Sequence, residues 1–470
     1  MGRRDVPGKG MGRWHRLFLT ALLACIAASG CGAGDRPRPD VILITLDTTR
    51  ADHIGAYGYT RNITPSIDRF AADATLFTRA HSTASWTLPA HASIVTGKYP
   101  TSHGAHFDVD RPDANLGEAL EGEMFRQMTV NRLGSDQLTM AELLGEAGYR
   151  TAAFVGGPFL EPVFGVLQGY DLKDAEIRTI GGRPADELTD RAVSWLREVP
   201  REQPVHMLVN YFDPHGPYEP PPGYDDLPLA RVPLEPAAPG RAGGPAPAIP
   251  LGPLIDRYDG EIRFMDSQFG RLLAALRLLG RYDGALVIVV ADHGESFGEH
   301  GMMEHGRWLY SEVIHVPLII RYPGGRRAGE SDSSLISVVD LLPLVSAETG
   351  LTLPEGVDGM PVGALRVILA ESYRDNLFIK LFGPRFDRDL RAAIRWPWKI
   401  IQSDRGEVEL YRLDEDPGEL RNLADGRLER EMLSLLDDAR AGLKPPARRA
   451  APEGVQPKTL EQLRSLGYVE

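Results

Sequence analysis

The sequence predicts an α/β protein. A doubly wound sheet flanked by helices comes first, and a smaller α+β domain with an antiparallel sheet follows. Three apolar runs carry the prediction. Asp40–Asp47 reads DVILITLD, Val205–Tyr218 reads VHMLVNYFDPHGPY, and Ala285–Glu295 reads ALVIVVADHGE. Short apolar runs bounded by turn signals fit strands buried on both faces of a sheet. Their alternation with helical stretches over residues 40–345 gives the doubly wound pattern. Each run ends in groups that can hold a metal or move a proton: Asp47, then Asp213 with His215, then Asp292 with His293. Ligands of such sheets bind beyond the carboxyl ends of the strands.

The first 31 residues read as an export leader. Arg3–Arg16 is basic, Leu17–Ala28 is apolar, and Ala28-Ser29-Gly30-Cys31 closes the segment. This pattern marks a secretory signal rather than a spanning helix. Small residues before a Cys resemble a bacterial lipoprotein box. The expectation is an exported periplasmic or cell-surface lipoprotein, lipidated at Cys31 and tethered to the membrane by residues 32–39. Cys25 is a competing site, and cleavage without lipidation is the plainer alternative. Cys25 and Cys31 are the only cysteines, so the folded domain has no disulfide and no Cys metal site.

Residues 40–360 form the expected catalytic domain. In the run Ser85–Pro100, Pro89 suits the first turn of a helix, and Ala90–Val95 can continue it. Thr87 then lies just ahead of a helix N-terminus, where N–H groups and the dipole hold an anion. Its plainer role is an N-cap. Met265–Leu279 has apolar residues at helical spacing. Residues 219–253, rich in Pro, Gly and Ala, are expected to be neither helix nor sheet. They form either a wall or lid of the pocket or a disordered surface insertion. In the C-terminal domain, residues 361–470, the expected strands are Val367–Glu371, Arg391–Ile394, Trp398–Gln402 and Val408–Arg412.

The formal net charge of −13 argues against a nucleic-acid partner, which favours a basic face. It leaves open a small anionic ester held by a metal. All 12 histidines lie at or before His315, so the C-terminal part is poor in metal-ligand chemistry.

Several short motifs are similar to those of the sulfatase-like branch of the alkaline phosphatase superfamily. They include Asp47 with Arg50, Tyr57-Gly58, Thr96-Gly97-Lys98-Tyr99-Pro100, and Tyr258-Asp259-Gly260-Glu261-Ile262 with Asp266. Ala291-Asp292-His293-Gly294-Glu295, His300-Gly301, Val316-Pro317-Leu318 and Asp340-Leu341-Leu342-Pro343 continue the series. Glu409-Leu410-Tyr411 and Asp416-Pro417 follow, and the Leu460–Val469 ending resembles the family's terminal helix. The resemblance runs from about Asp40 to the C-terminus. It implies an alkaline-phosphatase/sulfatase-like doubly wound mixed sheet and a metal-dependent ester hydrolase.

The departures concern the active site. Sulfatases resemble one another in a Cys/Ser-x-Pro-Ser-Arg signature whose first residue becomes formylglycine. Here the stretch is Thr87-Leu88-Pro89-Ala90-His91. A Thr carries a methyl group on Cβ and cannot make that conversion. Gly148-Tyr149-Arg150-Thr151 lacks the basic pair that follows it in the family, and the usual Asp-Asp pair is Asp47-Thr48. A Thr nucleophile beside a metal resembles the superfamily's phosphodiesterases, phosphonate hydrolases and phosphoglycerol-type transferases.

The expected metal site is therefore Asp47, Thr87, Asp292 and His293, holding one divalent ion: Ca²⁺, Mn²⁺ or Zn²⁺. Thr87, His215, His305 and His91 are the catalytic candidates. His215 matches the family's His-x-Pro-aromatic site, His305 falls where sulfatases carry Lys, and His91 replaces the signature Arg. Arg50, Arg307 and His300 are candidate substrate contacts, and Arg50 equally suits a salt bridge. The expected reaction is hydrolysis of a phosphodiester, phosphomonoester or phosphonate. The alternatives are sulfate-ester hydrolysis, phosphoglycerol- or phosphoethanolamine-type transfer, and a non-catalytic surface-binding lipoprotein. The transferases usually carry several spanning helices ahead of this domain, and none is visible here.

Overall fold

The apolar run Val41–Leu46 forms β1, and every residue in it is buried. The computed structural model describes residues 1–2, 38–109, 130–177, 182–227 and 251–446. Cys25, Cys31, residues 228–250 of the Pro/Gly-rich segment and Leu460–Val469 lie outside the described residues.

Thr75–Phe77 is β2, Arg150–Val155 β3, Leu172–Asp174 β4 and Val205–Tyr211 β5. Leu286–Ala291 is β6, Leu318–Arg321 β7 and Ser331–Asp332 β8. These strands form one sheet in the order β8-β2-β7-β6-β1-β5-β3-β4. The five strands from β6 to β4 run parallel, and β7 is antiparallel to both neighbours. The sheet is mixed, as expected. The three apolar runs of the sequence lie side by side at its centre. Leu46 pairs with Tyr211 on one side and Ala291 on the other. Asp47, Phe212 and Asp292 therefore leave the sheet at one level.

The longer helices are α1 (Pro65–Ala72), α2 (Thr87–Thr96), α3 (Ala185–Glu198), α4 (Leu251–Leu278), α5 (Leu341–Thr349) and α6 (Arg427–Ala441). All ten residues of α2 are buried. Gly97 ends α2 in the left-handed region (φ 65°), and its N–H donates to the Ser93 carbonyl.

Helix α4 corrects the reading of residues 219–253. The helix begins at Leu251, well ahead of the expected Met265. Gly252 and Pro253 lie in its first turn, where proline's missing N–H has no intrahelical partner to lose. Residues 219–227 do lack helix and strand. Pro220 and Tyr224 press on α4 at Gly260, where an added Cβ would stand 2.6 Å from the Tyr224 carbonyl.

Ile368–Ser372 (β9), Leu390–Arg395 (β10), Trp398–Ser403 (β11) and Val408–Arg412 (β12) form the second, antiparallel sheet in chain order. One face buries Leu369, Ala393, Ile400 and Leu410 against Met432 and Leu436 of α6, with Tyr99 and Val339. The other covers Trp308, Leu309, Val313 and Ile314. Two apolar faces fix this sheet to the catalytic part.

Candidate active site

Asp47 follows β1, Asp292 and His293 follow β6, and Thr87 opens α2. Ligand atoms of Asp47, Asp292 and His293 lie within 4.8 Å of one another. His293 Nε2 is 3.4 Å from Asp292 Oδ2, 3.9 Å from Asp47 Oδ1 and 3.3 Å from Thr87 Oγ1. Asp47, Asp292 and His293 are fully buried, and Thr87 almost so. Thr87 is the first helical residue, and extended Trp86 takes the N-cap position without a side-chain cap. The plainer alternative for Thr87, an N-cap, therefore falls away, and its hydroxyl lies beside the cluster.

Among the described residues, no group meets either Asp47 oxygen, or Asp292 Oδ2, in hydrogen-bond geometry. Burial drives the Asp47 pKa well up and the Asp292 charge adds to it, with partial relief from nearby Asn210. Burial also acts to raise Asp292, but His293 and His91 bring it down to about 2. Burial pushes His293 down to about 4, which keeps its imidazole in the neutral, ligating form. Buried carboxylate oxygens left without a hydrogen bond are costly, and a cation relieves that cost. These donors, two carboxylates, one imidazole and one hydroxyl, fit a divalent ion that takes oxygen and nitrogen ligands.

His91 has a different place from the one expected. Its side chain is fully buried beneath the cluster. Asn210 Nδ2 donates to Thr45 Oγ1 at 3.1 Å, and the same hydroxyl lies 3.0 Å from His91 Nε2. Nδ1 of His91 faces the Thr87 carbonyl, which can only accept, so Nδ1 carries a proton. It donates to the Thr87 carbonyl at 3.0 Å and lies 3.3 Å from Asp292 Oδ2. His91 holds Asp292 and the Thr87 turn in place rather than receiving the substrate anion.

His215 and His305 come together beside the cluster. Their rings are 5.0 Å apart, and His305 is 4.5 Å from the His293 ring. His215 Nδ1 lies 2.7 Å from the Gly216 carbonyl, and His305 Nδ1 lies 3.2 Å from Glu295 Oε1. Tyr218 donates to the other Glu295 oxygen at 2.9 Å. Burial lowers His215 to about 3 and His305 to about 4.

The three candidate substrate contacts are engaged elsewhere. Arg50 donates to Asp52, to Glu299 at 2.6 Å and to the Glu295 carbonyl at 3.0 Å. It ties the loop after β1 to the loop after β6, which realises its salt-bridge role and leaves its guanidinium neutralised. Arg307 pairs with Glu304 at 3.0 Å and lies over the rings of Phe378 and Phe382. His300 stacks on Tyr310 at 3.6 Å, and Tyr310 donates to Glu409.

Four residues at the site escape the sequence reading of roles. Asn210 and Thr45 position His91. Tyr258 donates to the Thr48 carbonyl at 2.8 Å and accepts from the Arg50 N–H at 2.9 Å. Thr48 itself has φ +50° and a buried hydroxyl with no partner among the described residues. A β-branched residue in that region is strained, and such strain gathers at functional sites. The available signal is a polar residue within an apolar strand run, as at Thr45 and Asn210.

Comparison with known proteins points to one family. The family model described as Sulfatase matches residues 39–351, and one described as N-sulphoglucosamine sulphohydrolase, C-terminal, matches residues 298–443. The uncharacterized sulfatase YidJ of Escherichia coli is 26% identical over 464 residues, covering 86% of each chain. The structure of phosphonate monoester hydrolase from Agrobacterium radiobacter is similar at a TM-score of 0.66 and 23% identity. It covers 86% of this chain and 95% of that one. A protein solved with its substrate D-glucosamine-2-N,6-O-disulfate is similar at a TM-score of 0.69 and 19% identity, covering 86% and 98%.

Proposed function

Because this chain belongs to the sulfatase family and is a hydrolase acting on ester bonds, we propose that Thr87 is its nucleophile and a phosphorus ester its substrate. The observation that carries this reading is the Thr87 hydroxyl, 3.3 Å from His293 Nε2 at the start of a buried helix. A Thr cannot supply the aldehyde that the family's sulfate cycle needs. A hydroxyl at a helix N-terminus suits in-line attack on phosphorus.

Asp47, Thr87, Asp292 and His293 would hold one divalent ion, Ca²⁺, Mn²⁺ or Zn²⁺, which would lower the hydroxyl pKa and neutralise ester oxygens. The Thr87 oxygen bonds to phosphorus as the alcohol leaves from the opposite side, giving a phosphothreonine. Water then breaks the new bond and restores Thr87. His215 and His305 contact the ester and its leaving group. Glu295 and Tyr218 fix the His305 ring. His91 keeps Asp292 and the first turn of α2 in register.

Sulfate-ester hydrolysis is the rival, favoured by the names of the matching family models. A panel of aryl phosphodiester, phosphomonoester, phosphonate and sulfate substrates with Mn²⁺, Zn²⁺ and Ca²⁺ separates the two. A phosphorus ester is expected to turn over fastest, and Thr87→Ala to lose at least about a thousandfold. A fastest aryl sulfate, or a fully active Thr87→Ala protein, overturns the reading.

The leader supports export and membrane anchoring through a lipid on Cys31. Mass spectrometry of protein expressed with its leader is expected to find a diacylglyceryl Cys31 as the new N-terminus. A free N-terminus further along refutes it.

A further inference from the structure

A cavity of about 340 Å³ opens beside the antiparallel sheet. Arg391 of β10 and Arg440 of α6 both line it, with Tyr373, His106, Arg374 and Asp389. Among the described residues, neither the Arg391 nor the Arg440 side chain makes a hydrogen bond or an ion pair, and the Nε of each is buried without a partner.

Of the nearby acids, Glu371 and Asp389 are held by other groups, while Asp108 also lines the cavity and the Asp437 charge acts on Arg440. Glu371 stands opposite Arg391 in the β9–β10 register, yet its carboxylate accepts from the Thr101 N–H at 2.7 Å and the Thr101 hydroxyl at 2.6 Å. Asp389 accepts from the Arg374 N–H at 2.9 Å and lies 3.7 Å from the Arg374 guanidinium. Burial, and then the Arg391 charge, lowers the Arg440 pKa, with Glu371, Tyr373 and Asp437 acting the other way.

The remaining wall is flat. The His106 ring stacks on Tyr373 at 3.7 Å and 10°. The next residue, Phe107, stacks at 4.2 Å on Trp86, which precedes Thr87. Two half-buried guanidiniums that no acid meets in a hydrogen bond or ion pair among the described residues favour an oxyanion, which each can meet in a charge-assisted fork. The volume suits a small organic molecule.

We propose that Arg391 and Arg440 form an anion subsite, separate from the metal centre, that binds the phosphate, sulfate or carboxylate group of a small organic molecule. The anion is either a second, non-reacting group of the substrate or a free small anion. The subsite does not depend on the chemistry of Thr87.

Calorimetry with inorganic phosphate on the full chain tests it, repeated with chelator so that binding at the metal centre drops out. Arg391→Gln and Arg440→Gln preserve most of the side-chain volume. Each is expected to weaken the chelator-resistant binding by about tenfold or more, as loss of a charged hydrogen-bonding partner does. Kinetics on a singly and a doubly anionic ester form the second arm. A fall in kcat/KM confined to the doubly anionic ester assigns the group to the substrate. Unchanged kinetics with lost phosphate binding assigns it to a free anion. Absence of chelator-resistant binding in the wild-type chain, or equal binding in both variants, overturns the proposal.

Discussion

The Thr87 hydroxyl lies 3.3 Å from Nε2 of His293, although 206 residues separate them. The contact joins the first turn of α2 to the loop after β6. It makes the cluster of Asp47, Asp292 and His293 a four-membered site, with one member able to act as a nucleophile.

Thr87→Ser removes only a methyl group and is expected to keep partial turnover of the best phosphorus ester. Thr87→Cys, co-expressed with a formylglycine-generating enzyme, is expected to gain weak aryl sulfatase activity. Parallel assays of phosphorus and sulfate esters check both. A Thr87→Ser protein as inactive as Thr87→Ala would count against attack by the hydroxyl.

Asp292→Ala is expected to lose the bound divalent ion, read by elemental analysis, and to lose activity with it. A fully metallated Asp292→Ala protein would remove Asp292 from the ligand set. Chelation of the wild-type chain is expected to abolish turnover, and readdition of the preferred ion to restore it.

His91→Leu cuts the chain of contacts from Asn210 through Thr45 to Asp292. Loss of such a supporting group typically weakens metal affinity by about 10- to 100-fold. The expected signature is a rise in the metal concentration needed for half-maximal activity, partly rescued by His91→Gln. A changed KM with unaltered metal dependence would instead return His91 to substrate binding.

Glu261 is 6% exposed, and burial followed by the Asp213 charge raises its pKa to about 8. Asp213 is raised to about 7, mainly by burial. Both folded pKa values stand above their unfolded values of about 4. The folded chain therefore holds protons that the unfolded chain releases, and stability falls as pH rises from about 4 to 8. Glu261→Gln removes one such group. Its melting temperature relative to wild type is expected to rise by ~2 °C or more between pH 5 and pH 9. A difference independent of pH would refute the linkage.

Lys399 and Glu419 form a fully buried ion pair at 2.7 Å, and Glu419 also accepts from the Ser311 N–H. Lys399→Met leaves a buried carboxylate without its cation. Urea unfolding is expected to show a loss of about 3 kcal/mol, largely recovered in Lys399→Met with Glu419→Gln. A single variant as stable as wild type would show that water reaches the pair.

The sequence by itself determined the strands and their chemistry. Apolar runs ending in Asp47, Asp213 with His215, and Asp292 with His293 predict buried strands with ligands at one edge, because burial and period are local properties of a chain. The four C-terminal strands are legible for the same reason. The tertiary structure alone decided which polar groups meet. His91, Arg50 and Arg307 have functional-looking contexts in sequence, yet the fold sets them against Thr45 and Asp292, Asp52 and Glu299, and Phe378 and Phe382. The start of α4 at Leu251 escaped detection because Pro253 signals a break except in a first turn. Thr48, Asn210 and Tyr258 gain their roles only through partners far away along the chain. A side chain's chemistry is written in its residue type, but its pKa, partner and role depend on burial and distance, which only folding sets.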